Sequence, residues 1–368
     1  MRSALWVITT CVACGGGHGA APDAISDSPA DAPPDAAWVS AWNAPTGAAL
    51  SGATLSDGWT DLRELSPPLE VAGGWTDSLF ALPGGRQLLF AYEQTDFFDF
   101  YISNGSDSEV TGPPLAGVSP ATFQIFEADL EQTDWQVSEH AIDAFDPSAV
   151  QASPAANAAG DLIVFTKFAL PSGRAKLYWA QRPSQAWSAP VEMPIDSVAC
   201  NDDNAKLVGD LATGFAVYFE SSRTDVAGTS TTCGARQLYT ATYANGVFSP
   251  VSAVPGIPTV NTDNSQPFAT LDQQTLYWSG VTQTAYAIFT ATRQPDGSFG
   301  DVHPIVQPTI SGTFSGNVAL IGEASVVDLP EGSLLYMMCG VAMNTHGGMT
   351  FHDADYIRLE PCVARRPG

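Results

Sequence analysis

Four acidic residues could carry acid–base chemistry, because each lies in a stretch that leads into a predicted hydrophobic strand. They are Asp77, Asp203, Asp263 and Glu323. Hydrolysis by this route needs two carboxyl groups that face each other, one to donate a proton and one to activate water. A carboxylate beside a strand can instead accept backbone hydrogen bonds and hold the chain in place. The two roles therefore predict different surroundings for the same residues.

A metal site is the second candidate, since imidazole and carboxylate side chains together suit zinc or another transition ion. The candidate ligands stand close together near the C-terminus: His346, His352, Asp353 and Asp355. Their spacing matches no established ligand signature, and Gly347-Gly348 favours a solvated hairpin tip. The sequence contains no phosphate loop, dinucleotide fingerprint or Gly-x-Ser-x-Gly elbow, so no cofactor is predicted.

An aromatic cluster is the third candidate. Phe97, Phe98, Phe100 and Tyr101 stand near the start of a long insertion at residues 96–122. Such side chains could stack on a sugar or grip an apolar partner, or they could pack the insertion onto its own domain. Two further insertions, at residues 224–236 and 344–353, are expected on the same side of the protein. We call that side the loop-rich face.

The composition indicates which elements position these residues. Charged residues make up only 14% of the chain, while Gly and Pro number 33 and 27, which is typical of many short strands joined by turns. With 14 Lys and Arg against 39 Asp and Glu, the net charge is −25. A phosphate backbone would be repelled, so nucleic acid is excluded as a partner.

The N-terminus resembles an export signal. Arg2 precedes a short apolar run, and Cys14 ends a segment similar to a bacterial lipobox, although Cys11 stands where a lipobox prefers Leu. Residues 1–14 are therefore expected to be a signal peptide with lipidation at Cys14, and ordinary cleavage with secretion stays open. Residues 15–37 are rich in Asp, Ala and Pro and are expected to form an extended, disordered tether. The protein is expected in the outer membrane, periplasm or cell surface.

An internal repeat organises the rest of the chain, and each copy has two hydrophobic strands followed by an edge strand that begins with an aromatic residue. The middle copy covers residues 215–223, 237–242 and 248–252. A last copy, at residues 333–338 and 355–359, lacks the edge strand. The other copies show the same order, at residues 87–92, 123–128 and 135–138, at 161–166, 176–180 and 187–191, and at 275–279, 287–292 and 299–303.

The missing edge strand is found before the first copy, at residues 59–69. An N-terminal strand that completes the last copy closes the copies into a ring and removes exposed sheet edges. The prediction is therefore an all-β protein, a single β-propeller over residues 38–368 with five blades, or six if residues 38–58 form more than a lead-in. The predicted blades are residues 72–150, 151–203, 204–263, 264–315, and 316–368 together with 59–69.

The copies resemble the TolB-type, WD-like propeller repeat of bacterial periplasmic proteins. The similarity is clearest where Asp263-Asn-Ser-Gln-Pro267 precedes Thr275-Leu-Tyr-Trp278. The turn departs from the usual Asp-Gly, which Gly84-Gly85 replaces in the first copy and Asp272-Gln273 in the fourth. The resemblance implies a fold and no chemistry, because propellers serve as binding proteins, scaffolds and hydrolases alike.

Two functions are compatible with this sequence. The first is a lipid-tethered binding or scaffold propeller that holds a glycan, peptide or protein at its loop-rich face. The second resembles the five-bladed glycoside hydrolases, which use inward-pointing acids from successive blades. Hydrolysis predicts two of the four candidate acids with carboxyl groups roughly 5–10 Å apart in an axial pocket. The structural role of the acids is favoured, because the second copy has Ser153 where an acid is expected.

Beyond Cys11 and Cys14, the chain has four cysteines, an even number consistent with two disulfides in an oxidising compartment. Cys200 and Cys233 are expected on one face of the third blade and could bridge. Cys339 and Cys362 are the remaining pair, in the last blade. The sequence leaves other connectivities open.

Overall fold

The computed structural model describes residues 39–95, 112–119, 122–139, 149–169, 173–183, 186–259, 263–282, 285–309, 316–345 and 354–368. The predicted signal peptide and tether lie outside these ranges and stay predictions. Within them, a short 3-10 turn at Ala41–Asn43 is followed by strands only. The strands form five antiparallel sheets.

The chain first forms β1 (Thr46–Ala49), β2 (Ala53–Leu55) and β3 (Thr60–Leu65). The first blade contains β4 (Trp75–Ala81), β5 (Gln87–Glu93), β6 (Gln124–Glu131) and β7 (Asp134–Glu139). The second contains β8 (Ala149–Ala156), β9 (Leu162–Ala169), β10 (Lys176–Gln181) and β11 (Val191–Glu192).

The third blade contains β12 (Asp202–Asp210), β13 (Gly214–Arg223), β14 (Cys233–Ala244), β15 (Val247–Phe248) and β16 (Ser252–Ala253). The fourth contains β17 (Asn264–Ala269), β18 (Thr275–Val281), β19 (Tyr286–Arg293) and β20 (Phe299–Pro308). The fifth contains β21 (Asn317–Leu329), β22 (Gly332–Thr345) and β23 (Ala354–Pro367).

The predicted five-bladed ring and its closure by an N-terminal strand are confirmed. β3 pairs with β23, with Arg63 opposite Val363. β1 extends the same sheet beyond β3, and β2 pairs with β20 in the fourth blade. Residues 46–65 therefore form an N-terminal belt that adds outer strands to two blades, which is why residues 38–58 do not build a sixth.

Each blade also has an innermost strand that the repeat alignment missed: β4, β8, β12, β17 and β21. These strands surround the axis, and each contacts the next around the ring, with β21 contacting β4. All five contain a β-bulge, where the register with the second strand shifts. The bulge residue has a φ between 51° and 63° in every blade: Ser78, Ser153, Asn204, Gln266 and Glu323. A bulge re-aims side chains and interrupts the strict alternation by which strands are recognised in sequence.

The core lies between the blades. The second strands are buried on both sides, so β5 carries a run from Leu88 to Tyr92 in which every side chain is at most 1% exposed. The predicted edge strand at residues 248–252 is split into β15 and β16, because Pro250 has no N–H to donate to the sheet.

Both predicted disulfides are present. Cys200 bonds to Cys233 with a Cα–Cα distance of 5.5 Å, and Cys339 bonds to Cys362 at 6.0 Å. Stable disulfides indicate a protein that folds outside the reducing cytoplasm. In the described ranges, none of the helical segments has the length and apolar character needed to span a bilayer.

Candidate functional site: an axial acid network and a cavity

The axis holds a network of polar side chains that joins the blades, and Glu323 is at its centre. Its carboxylate accepts hydrogen bonds from the backbone N–H and the hydroxyl of Ser78, and from the side-chain amide of Gln266 at 2.9 Å. The Glu323 side chain is only 7% exposed. One residue of the fifth blade thus bonds to the first and the fourth.

Asp77 forms a side-chain hydrogen bond with Glu323. Burial, and then the charge of Glu323, raise the pKa of Asp77 well above its usual range. Asp77 is therefore held in its protonated form, because an ionised Asp77 would be a second buried negative charge beside Glu323. The Glu323 carboxylate is thus occupied by internal donors from Ser78 and Gln266, as the structural role of the acids predicts.

The carboxylate of Asp203 is hydrogen-bonded by neutral donors. Its carboxylate accepts hydrogen bonds from the hydroxyl of Thr166 and the backbone N–H of Asn204. Burial raises the pKa of Asp203 despite these bonds. Ser153 continues the network, since its hydroxyl donates to the Asn204 side chain at 2.7 Å and lies 3.3 Å from the Ser78 hydroxyl. The serine of the second blade thus links the first blade to the third.

Asp263 lies away from the Asp77–Glu323 pair, in a cluster that sequence analysis did not find. Arg236 donates two hydrogen bonds to its carboxylate, at 3.0 and 2.8 Å, and the Tyr286 hydroxyl donates a third at 2.7 Å. Burial alone would raise the pKa of Asp263, but the Arg236 and Tyr286 hydrogen bonds bring it below its usual value. Asp263 is therefore an ionised carboxylate that accepts three internal hydrogen bonds.

Glu220 is a further buried acid that sequence analysis missed. Its carboxylate accepts the backbone N–H of Gln266 at 2.8 Å and lies 3.4 Å from the Arg236 guanidinium. Burial raises the pKa of Glu220 to about 7, against the opposing charge of Arg236. The only sequence signal was a carboxylate inside the apolar run of β13.

The four predicted acids occupy three different positions relative to the bulge. Asp77 and Asp203 immediately precede a bulge residue, Glu323 is itself one, and Asp263 stands three residues before Gln266. Three of the four also lie inside an innermost strand, and Asp263 directly precedes β17. The four acids therefore do not share one position relative to the first strand of a blade.

Lys206 borders the acid network. Its ammonium group donates to the Pro154 carbonyl at 3.2 Å and stands 5.5 Å from the ring centroid of Phe80. Burial lowers the pKa of Lys206 to about 8, although Glu323, Asp203 and Asp77 oppose that change. Lys206 thus separates the acids from a cavity that Lys206 itself lines.

That cavity has a volume of about 500 Å³ and is lined by residues of all five blades. Pro83 and Ala158, which follow the innermost strands of the first two blades, lie at its wall, as do Leu271 and Asp328 from the fourth and fifth. Each belongs to, or stands beside, the turn that joins the first strand of a blade to the second. We call this side of the ring the turn face.

The other predicted site residues are not tested. Phe97, Phe98, Phe100, Tyr101, His346, His352, Asp353 and Cys14 lie outside the described residues, and only the backbone of Asp355 is described, in β23. Across the part of the chain that the structure describes, no three His, Cys, Asp or Glu side chains are grouped to hold a metal ion. The metal and aromatic sites stay predictions.

Comparison with known proteins places the chain by fold and not by family. No known protein family matches it, and no curated protein does. The structure is similar to TolB from Acinetobacter baumannii, with a TM-score of 0.38 and 13% identity over 79% of this chain and 54% of that one. This chain therefore spans about half the length of that TolB.

The structure is also similar to two hydrolase structures. One is described as a glycoside hydrolase, with a TM-score of 0.49 and 10% identity over 89% of this chain and 92% of that chain. The other is a thermostable family-43 glycoside hydrolase, with a TM-score of 0.43 and 14% identity over 82% and 92%. At this identity the likeness concerns the fold alone.

Proposed function

We propose that this protein is an extracytoplasmic binding propeller that holds its ligand without cleaving it. The observation that supports this most strongly is that the Glu323 carboxylate, beside the buried Asp77, is occupied by donors from Ser78 and Gln266. The other two candidate acids are occupied by internal donors, Asp203 by Thr166 and Asp263 by Arg236.

The proposal also covers how the protein is attached to a membrane and what kind of partner it binds. Lipidation at Cys14 would hold the protein at a membrane surface through residues 15–37, in the outer membrane, the periplasm or at the cell surface. The loop-rich face, with its aromatic insertion at residues 96–122, would hold a glycan, a peptide or a protein. These points rest on the sequence patterns and on the extracytoplasmic setting that the disulfides indicate.

A depletion assay on insoluble polysaccharides tests the proposal. The purified protein is mixed with cellulose, chitin, xylan or peptidoglycan, and both the protein left in solution and the reducing ends released are measured. Retention without reducing ends is the expected result. Release of reducing ends would contradict the proposal, and absence of both would redirect the search to a peptide or protein partner.

A glycoside hydrolase is the second candidate, because a protonated Asp77 beside an acidic partner is the kind of group that donates a proton to a leaving oxygen. Asp77→Asn separates the two functions. The amide keeps the shape of the protonated carboxyl, so a binding propeller should fold and retain polysaccharide as before. A hydrolase should lose sugar release by about 100-fold or more. Asp134→Asn, at an exposed position of β7, is the matched control.

A further inference from the structure

We propose that the cavity at the turn face binds a neutral sugar, a chain end of one or two units. This inference rests on the proposed binding function and assigns it a second, separate site. Lys206 lies between this site and the acid network. Its volume of about 500 Å³ lies within the roughly 300–1,000 Å³ typical of small-molecule sites.

Aromatic side chains form the apolar wall of the cavity. The rings of Phe80 and Phe268 lie 6.2 Å apart between centroids, and those of Phe268 and Tyr277 lie 6.4 Å apart. All three side chains are at least 93% buried, so packing fixes their positions before any ligand arrives. The C–H faces of sugar rings pack on such aromatic surfaces, and a preformed wall lowers the entropy cost of binding.

The charged groups around the cavity balance one another. Three acids, Asp57, Asp272 and Asp328, face three bases, Lys206, His303 and Arg366. This balance stands out in a chain whose net charge is −25. A site for an anion or a cation would carry an excess of the opposite sign. Balanced charges, with threonine hydroxyls such as Thr290 and Thr292 between them, instead fit a neutral ligand that is rich in hydroxyl groups.

Several of these charges are already held in place by neighbours. His303 Nε2 lies 2.7 Å from the Asp57 carboxylate, and this hydrogen bond is the main cause of the raised pKa of His303. Arg366 stacks 4.7 Å above the Trp59 ring and donates to Ser333, whose hydroxyl donates to Asp328. The polar groups are therefore oriented in advance, with donors and acceptors both available to sugar hydroxyls.

The N-terminal belt supplies part of this wall. Asp57 and Trp59 come from the turn between β2 and β3 and line the cavity beside residues of the fourth and fifth blades. Closing the ring therefore also completes the site. Leu271 also lines the cavity, and 62% of its surface is exposed. Its side chain offers an apolar contact that internal packing does not use.

Titration calorimetry on the whole protein tests the inference with neutral disaccharides: maltose, cellobiose, galactobiose and N,N′-diacetylchitobiose. Charged relatives, digalacturonate and unacetylated chitobiose, serve as comparison. We expect at least one neutral probe to bind with a Kd of about 1 mM or lower. Its charged relative should bind at least about tenfold more weakly.

A matched pair of variants locates the binding. Ala158→Trp places an indole at the cavity wall, whereas Ala159→Trp makes the same change at the next, equally exposed residue, which does not line the cavity. The first should weaken binding at least tenfold and the second should leave it unchanged, with both proteins unfolding at the wild-type temperature.

Each other outcome overturns something specific. Binding that Ala158→Trp does not weaken places the sugar elsewhere and overturns this site, while leaving the proposed binding function intact. Tighter binding of the charged probes overturns the neutral class, and no binding of any probe overturns the inference as a whole. Reducing ends released from polysaccharide would overturn the proposed function instead.

Discussion

Glu323 and Ser78 lie 245 positions apart in the chain, yet the Glu323 carboxylate bonds both the backbone N–H and the hydroxyl of Ser78. They belong to the last and the first blade, the two blades that must meet for the ring to close. The ring is thus joined at its rim by β3 and at its axis by a carboxylate. The bond at the axis depends on one side chain and can be tested by substitution.

Glu323→Ala should lower the free energy of unfolding by about 2–4 kcal/mol. The change leaves the Ser78 N–H and the Gln266 amide without their acceptor in a buried position. Urea denaturation followed by tryptophan fluorescence measures the effect. Glu331→Ala, at an exposed turn residue, is the control and should change stability by no more than about 0.5 kcal/mol. Equal losses in the two variants would show that the axial bonds contribute little.

The stability of the protein should fall as the pH rises from 5 to 8, and Glu93 should account for much of this. Burial raises the pKa of Glu93 from 4.5 to about 8. Between these values the folded protein holds a proton that the unfolded chain has released, so raising the pH favours unfolding. At about 1.36 kcal/mol for each pKa unit, the loss reaches roughly 4 kcal/mol.

Glu93→Gln should make this pH profile less steep, since the amide does not titrate, while other buried acids such as Glu220 and Asp77 keep part of the slope. Urea midpoints at pH 5, 6.5 and 8 give the comparison. Glu139→Gln, an exposed residue at the end of β7, should keep the wild-type slope. A wild-type profile that rises with pH would contradict the assignment of a protonated Glu93.

Removing the Cys200–Cys233 disulfide should lower stability by about 3–4 kcal/mol, because the bridge closes a loop with a sequence separation of 33 residues. The double variant Cys200→Ala/Cys233→Ala tests this by thermal unfolding. A reducing agent should lower the unfolding temperature of the wild type by more than that of the variant, which retains only the Cys339–Cys362 bridge. The same response in both proteins would mean that the first bridge contributes no stability.

Two arginines should differ sharply in their importance for stability. The Arg223–Asp202 pair is buried, with side-chain exposures of 1% and 0%, and Arg223 also stacks on Phe219 and Tyr239. Arg223→Ala leaves a buried carboxylate without its partner, which should cost about 3–5 kcal/mol. Arg63, in an exposed pair with Asp61, should cost less than about 1 kcal/mol when changed to Ala. Comparable losses in denaturant would contradict this account.

The parts of the fold that follow from patterns of residue type were predictable. Apolar runs marked the second and third strands of each blade, and an aromatic-led segment marked the strand that closes the ring. The repeat positions placed each of the two observed cysteine pairs within one blade, but they left other connectivities open. Each of these features depends on side-chain types that recur from one copy of the repeat to the next.

The innermost strands could not be recognised, because their bulge positions are defined by the backbone. Ser78, Asn204 and Glu323 share a left-handed φ but little side-chain chemistry. Glu220 and Arg236 escaped notice for a related reason, since they also bond to Gln266 and Asp263 at the start of the fourth blade, 46 and 27 positions later in the sequence. The candidate acids were found, but their contacts and the cavity required coordinates.

The N-terminal belt has a consequence for how the protein is made. The Thr60 hydroxyl bonds the carbonyl of Arg365, 305 positions later, so one of the first strands to be synthesised waits for one of the last. Blades one to four can pair their own strands first, but β3, which pairs with β1 on one side, has no partner on its other side until β23 has been translated. The closed ring, and the cavity wall formed by Asp57 and Trp59, can therefore form only after β23 has been translated. A chain without β23 would therefore keep an open ring, with one edge of β3 unpaired.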